Sequence, residues 1–144
     1  MKFNVLFFFF SLFITGSATA QNIVGKWKTI DDQSNEPRSI VEIFEKNGNY
    51  YGRITHLFTK PGEDPDPSCN ECDKDDDRYG KKVKGMEILR GLKRSGSEFT
   101  GGKVLDPENG KVYSCKIWIE DAKLKLRGYW GPFYRTQVWL RAQE

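Results

Sequence analysis

Apolar and polar residues alternate with a period of two in short runs along most of this chain. In KVYSCKIWIE, Lys111 to Glu120, one face carries Tyr113, Cys115, Ile117 and Ile119. The other carries Ser114, Lys116 and Glu120, with Trp118 among them. This alternation predicts a strand with one dry and one wet face. The next run sets Leu124, Leu126, Gly128 and Trp130 against Lys123, Lys125, Arg127 and Tyr129. In the last run Thr136, Val138 and Leu140 oppose Gln137, Trp139 and Arg141. Turn residues separate the runs. Asn47-Gly48-Asn49 is a hairpin signal, Asp106-Pro107-Glu108-Asn109-Gly110 a longer reversal, and Glu120-Asp121-Ala122 a tight one. No stretch shows a capped helical stripe.

The runs predict eight strands over 24–30, 39–46, 49–58, 86–93, 97–106, 111–120, 122–130 and 135–142. Short connections make neighbours antiparallel. One long loop, about 59–85, interrupts them. The expected fold class is all-β: an antiparallel, eight-stranded up-and-down barrel, which leaves no sheet edge exposed. A β-sandwich is the competing arrangement. Glycines inside the runs (Gly52, Gly91, Gly101, Gly102, Gly128) favour the barrel, because tight bends want glycine.

The first twenty residues break the pattern. Lys2 precedes an apolar run, Val5 to Ile14, interrupted only by Ser11, and small residues end in Ala18-Thr19-Ala20. This is the plan of a cleaved secretory signal peptide with an A-x-A site. The run is about 10 residues, short of the ~20 that span a bilayer as a helix. The expected organisation is a signal peptide over 1–20 and one β-barrel domain over 21–144, with no transmembrane segment in the mature chain. The expected location is exported, periplasmic or extracellular. Loss of Lys2 lowers the formal charge from +3 to +2. That near-neutral balance argues against a nucleic-acid partner.

Gly25-Lys26-Trp27 opens the first strand, and Arg141 stands on the last. This pairing resembles the calycin superfamily of lipocalins and fatty-acid-binding proteins. There a basic side chain covers the tryptophan and closes the barrel, a structural role. A closer resemblance rests on GGKVLDPENGKVYSCKIWI and LKLRGYWGPFYRTQVWLR, with GKWKTIDD, SIVEI, YYGRI and CNEC. Together these resemble the bacterial family catalogued as domain of unknown function 2147. The resemblance implies an exported, barrel-like protein, with no established activity. It also implies a C-x-x-C in the long loop, which Cys69 and Cys72 match.

The candidate chemistry lies in PSCNECDKDDD, Pro67 to Asp77. An oxidising compartment favours a local disulfide between Cys69 and Cys72. Two other readings stay open. Cys69 and Cys72 could join Cys115 and His56 as a zinc site, or act in thiol exchange, although the surrounding acids would raise a thiol pKa. A calcium loop starting at Asp73 fails, because Arg78 and Lys84 stand where Gly and Glu are needed. The acids read as a solvated loop, balanced by Lys81, Lys82 and Lys84. His56 is the only histidine, and no hydrolase, zincin or phosphate-loop motif appears. No catalytic residue and no cofactor are expected.

The aromatic turn Tyr129, Trp130, Phe133 and Tyr134 is the candidate ligand-contacting surface. Whether it faces the Asn47–Asn49 turn or the cysteine loop stays open. The reading is a non-enzymatic barrel binding a small apolar molecule, lipid or envelope component. The alternatives are an envelope interaction module using the aromatic turn and a metal- or thiol-active protein.

Overall fold

The computed structural model describes residues 21–143. The expected signal peptide over 1–20 lies outside the described residues. Eight strands follow in order: β1 (Gly25–Ile30), β2 (Pro37–Lys46), β3 (Asn49–Leu57), β4 (Glu87–Ser95), β5 (Glu98–Asp106), β6 (Lys111–Glu120), β7 (Lys123–Trp130) and β8 (Phe133–Arg141). Each pairs antiparallel with the next, and β8 returns to β1, so the sheet is a closed barrel. The sandwich alternative is thereby excluded.

Turn chemistry sets the hairpins. Asn47 and Gly48 both take positive φ, the requirement of the two-residue turn that matches strand twist. β7 ends where the sequence pattern puts it, and β8 starts two residues earlier than the pattern suggests. Their turn is only Gly131-Pro132, and Tyr129 pairs with Tyr134 within the ladder.

The inward face follows the predicted period. Trp27, Val41, Ile43, Leu92, Phe99, Ile117 and Leu124 are buried around one end. Tyr50 meets Phe99 edge-on, with ring centroids 4.7 Å apart. Two interior glycines, Gly52 and Gly102, stand at register irregularities and serve packing as well. A Cβ on Gly52 would lie 2.9 Å from Leu89, and one on Gly102 would lie 2.5 Å from Leu92. Each leucine fills the space its glycine leaves. Gly101 does mark a bend, with φ +74 at an irregularity between β5 and β6.

The long loop is solvated over most of its length, with Asp73, Asp75 and Asp77 exposed, but it is anchored at a few buried positions. Cys69 and Cys72 are joined as a disulfide and are almost fully buried. They share one apolar cluster with Val83, Met86, Ile88 and Leu105. Ile88 and Leu105 adjoin Leu89 and the half-buried Val104 in the chain. Chain neighbours cannot share one face of a regular strand, so the loop shelters what alternation would expose. The acids are ordered too. Asp76 pairs with the buried Arg78 at 2.7 Å, and Arg78 also donates to the carbonyl of Glu87. Arg90 grips Asp77 through two hydrogen bonds. The expected neutralisation of these acids by Lys81, Lys82 and Lys84 is not what the structure shows: among the described residues Asp76 and Asp77 pair with arginines, and Lys82 pairs with Asp66 outside the cluster. The arginines win at Asp76 and Asp77 because a planar fork satisfies a carboxylate bidentately.

Cys115 faces the interior of β6, and burial pushes its thiol up to about 12. Native protein at pH 8 should therefore resist iodoacetamide. Denaturation without reduction should expose one alkylatable thiol, and reduction should bring the count to three, read by intact mass. Two or more labels before reduction would contradict the Cys69–Cys72 bond.

Candidate functional site

The barrel has two unlike ends. The chain enters β1 beside the hairpin turns at Asn47-Gly48, Gly96 and Asp121-Ala122, and this end is packed shut. Trp27 is fully buried, and its indole N–H donates to the carbonyl of Ile23 at 2.8 Å. Arg141 lies over the Trp27 ring, 3.8 Å from its centroid, and donates to the carbonyls of Val24 and Asn22. Partial desolvation there lowers the guanidinium pKa. Gly25 makes room for this arrangement, since a Cβ would meet the Arg141 guanidinium at 2.8 Å.

The other end is open. A cavity of about 930 Å³ descends between the strands. Its apolar lining includes Ile54, Leu57, Val104, Leu126 and Trp139. Polar inward groups appear higher up. Thr29 and Ser39 share a hydrogen bond of 2.8 Å, and the Gln137 amide oxygen accepts from the Trp139 indole N–H at 3.2 Å. Gly128 widens the cavity. A Cβ there would meet only Tyr113, at an ordinary 3.7 Å.

Four connections rim this mouth, those after β1, β3, β5 and β7. Ion pairs tie them together. Arg38 bonds both Glu63 and Glu108, Lys60 pairs with Glu36, and Arg135 pairs with Asp32 at 2.5 Å. The β5–β6 turn docks onto the cysteine loop so closely that a Cβ on Gly110 would lie 1.8 Å from the Glu71 carbonyl oxygen. The Pro107 carbonyl lies 3.8 Å from the Cys69 sulfur.

The aromatic turn and the cysteine loop therefore share one end. Strand order alone could have revealed this. In an up-and-down barrel, connections alternate between ends, so those after odd strands lie together. Trp130, Phe133 and Tyr134 line the mouth and are about two-thirds exposed. Tyr129 does not line the cavity. It pairs with Tyr134 in the ladder and borders a shallow external groove with Lys103 and Lys116. Sequence reasoning missed the deeper lining, including Gln137, Gly128 and the Thr29–Ser39 pair. The signal was present in β8, where the polar Gln137 lies on the same face as the buried Trp139.

The four-residue zinc alternative does not assemble. The disulfide takes the thiols of Cys69 and Cys72, Cys115 is enclosed in the barrel wall, and the exposed His56 near the end of β3 packs against Phe58 just beyond it. Among the described residues no group of three His, Cys, Asp or Glu is placed to hold a metal ion.

A closed eight-stranded antiparallel barrel, sealed at one end over a tryptophan and hollow at the other, is a lipocalin-like fold. The chain is similar in fold to protein HP1028 from Helicobacter pylori, described as belonging to the lipocalin family. The two share 21% identity, with a TM-score of 0.71 over 85% of this chain and 84% of that one. The chain belongs to the family described as uncharacterized proteins conserved in bacteria, DUF2147, whose model matches residues 25–141. No curated protein matches it.

Proposed function

We propose that this protein is an exported, non-catalytic carrier of one small amphipathic molecule. The apolar body would lie among Leu126, Val104 and Trp139, and the polar end at the charged mouth. The observation that carries this reading is the cavity itself. Its volume, about 930 Å³, falls within the ~300–1,000 Å³ range of small-molecule sites. An eight-stranded barrel is just wide enough to be filled by side chains or to hold one ligand, and here the packing stops partway. Trp130, Phe133 and Tyr134 serve as rim contacts, since exposed aromatics offer large apolar faces at low entropic cost.

The test is titration with N-phenyl-naphthylamine, a neutral apolar fluorophore. Saturable one-to-one binding is expected, with quenching of Trp139. Gly128→Phe should weaken it by about tenfold or more while leaving the protein folded, because the new ring enters open space without backbone strain. Equal binding by wild type and Gly128→Phe would place the probe elsewhere. No binding by wild type would end the carrier reading and favour an interaction module using the exposed aromatic turn.

A further inference from the structure

The charges around the cavity are unequal, and the imbalance points to a ligand class. Seven carboxylates and two guanidiniums stand among the lining residues. Both guanidiniums are committed: Arg38 to Glu63 and Glu108, and Arg135 to Asp32. Four lining carboxylates, those of Asp31, Asp64, Glu71 and Asp106, have no cationic partner among the described residues. Their hydrogen bonds are local. Asp31 accepts from the N–H groups of Gln33 and Ser34, Asp64 from Asp66, and Asp106 from Glu108 and Asn109. Those donors hold the Asp31 carboxyl below its ordinary range, Ser34 contributing most, so it stays ionised at neutral pH.

The other cations near the mouth are also engaged. Lys60 pairs with Glu36. The Lys111 ammonium lies 5.6 Å from the centroid of the Trp130 ring. A ring at the cavity mouth thus already receives a cation on its face, the contact a quaternary ammonium makes with an indole. An anionic head, such as a carboxylate, would meet excess negative charge and no uncommitted guanidinium among the lining residues; Arg127, outside the lining, is held by the Tyr134 ring and the Thr136 hydroxyl. A cationic head would meet the reverse, in a concave site whose low-dielectric walls focus the field.

We infer that the molecule preferred by this cavity is a cationic amphiphile, with an apolar body inside and an amine or quaternary ammonium head at the mouth among Asp31, Asp64, Glu71 and Asp106. The inference rests on the carrier reading and adds the charge of the ligand to it.

Three probes with one tail length separate the two ideas: decyltrimethylammonium and decanoate, each below its micelle concentration, and decanol below its solubility limit. Each competes against bound N-phenyl-naphthylamine on the full mature protein. At low ionic strength decyltrimethylammonium is expected to displace the fluorophore at about tenfold lower concentration than decanoate. The ratio should narrow in high salt, as screening shortens the reach of the field. Asp64→Asn with Glu71→Gln removes two of the four charges on exposed loop positions. It should reduce the ratio by about threefold and leave decanol unchanged. Decanoate binding as well as or better than the cation would overturn the charge inference while decanol binding kept the carrier reading intact. A ratio unaffected by salt and by the double variant would also overturn it. Failure of the fluorophore and of decanol to bind wild type would remove the carrier reading, and the inference with it.

Discussion

Replacing Trp27 with alanine is expected to destabilise the protein by about 3–5 kcal/mol, the range for emptying a large aromatic site in a packed core. Trp27 is fully buried and joins three things that nothing else joins. Its ring fills the closed end, its indole N–H satisfies the Ile23 carbonyl, and its face receives Arg141 from the last strand. The β1–β8 seam is also a short ladder of three pairs, with Trp27 opposite Arg141, Lys28 opposite Leu140 and Thr29 opposite Trp139. Closure therefore leans on side chains at this seam. The denaturation midpoint in urea should fall sharply. Arg141→Ala should lose only about 1 kcal/mol, the scale of a partly exposed cation–π contact. Equal losses for the two variants would mean that the guanidinium, rather than the buried indole, holds the end shut.

A second large effect is expected at Asp76. Its carboxylate bonds the Nε and Nη2 of Arg78 at 2.8 and 2.7 Å. Both side chains, themselves part of the cysteine loop, are largely enclosed, 9% exposed for Arg78 and 15% for Asp76. Asp76→Ala would leave a buried guanidinium without its counter-charge, a loss of about 3–5 kcal/mol. The same pair makes stability depend on pH. Arg78, first through its side-chain hydrogen bonds, holds the Asp76 carboxyl well below the ordinary aspartate range. A depressed folded pKa means stability that is fully present above the unfolded pKa, near ~4. It drains away as pH falls below that value toward the folded pKa. The gap between wild type and Asp76→Ala, measured by urea unfolding, should be widest at neutral pH and shrink below about pH 4. A gap that stayed constant down to pH 2.5 would show that Asp76 acts through shape and not charge.

Much of this was readable from local pattern. KVYSCKIWIE became β6 with Cys115 and Ile117 buried as the alternation required. Asn47-Gly48 became the turn its residues demand. The aromatic turn was read correctly as a turn, but longer than it is. Its residues are strand formers, and only Gly131-Pro132 leaves the ladder. The acids of the cysteine loop were read as solvated, and Asp73, Asp75 and Asp77 are exposed, but the anchoring of the loop was missed. Its composition is that of a soluble loop, and its order comes from Arg90, which lies outside it on β4, and from the apolar cluster it shares with Ile88 and Leu105. Neither partner can be identified from the loop's own residues.

By itself, the sequence determined the strands, most of their turns and the face each strand turns inward. Those follow from period-two alternation and backbone preferences, which act between residues close in the chain. It also contained, through strand order, the fact that the aromatic turn and the cysteine loop share one end. Only the tertiary structure decided where the interior is filled and where it is hollow. An inward side chain is packed or left facing space according to what the opposite wall presents, and closure brings that wall from elsewhere in the chain. Tyr50 finds Phe99 across the closed end, while Gly128 faces only Tyr113 and leaves a void. The same long-range meeting decided which charges at the mouth are paired, and therefore the charge that a bound molecule would encounter.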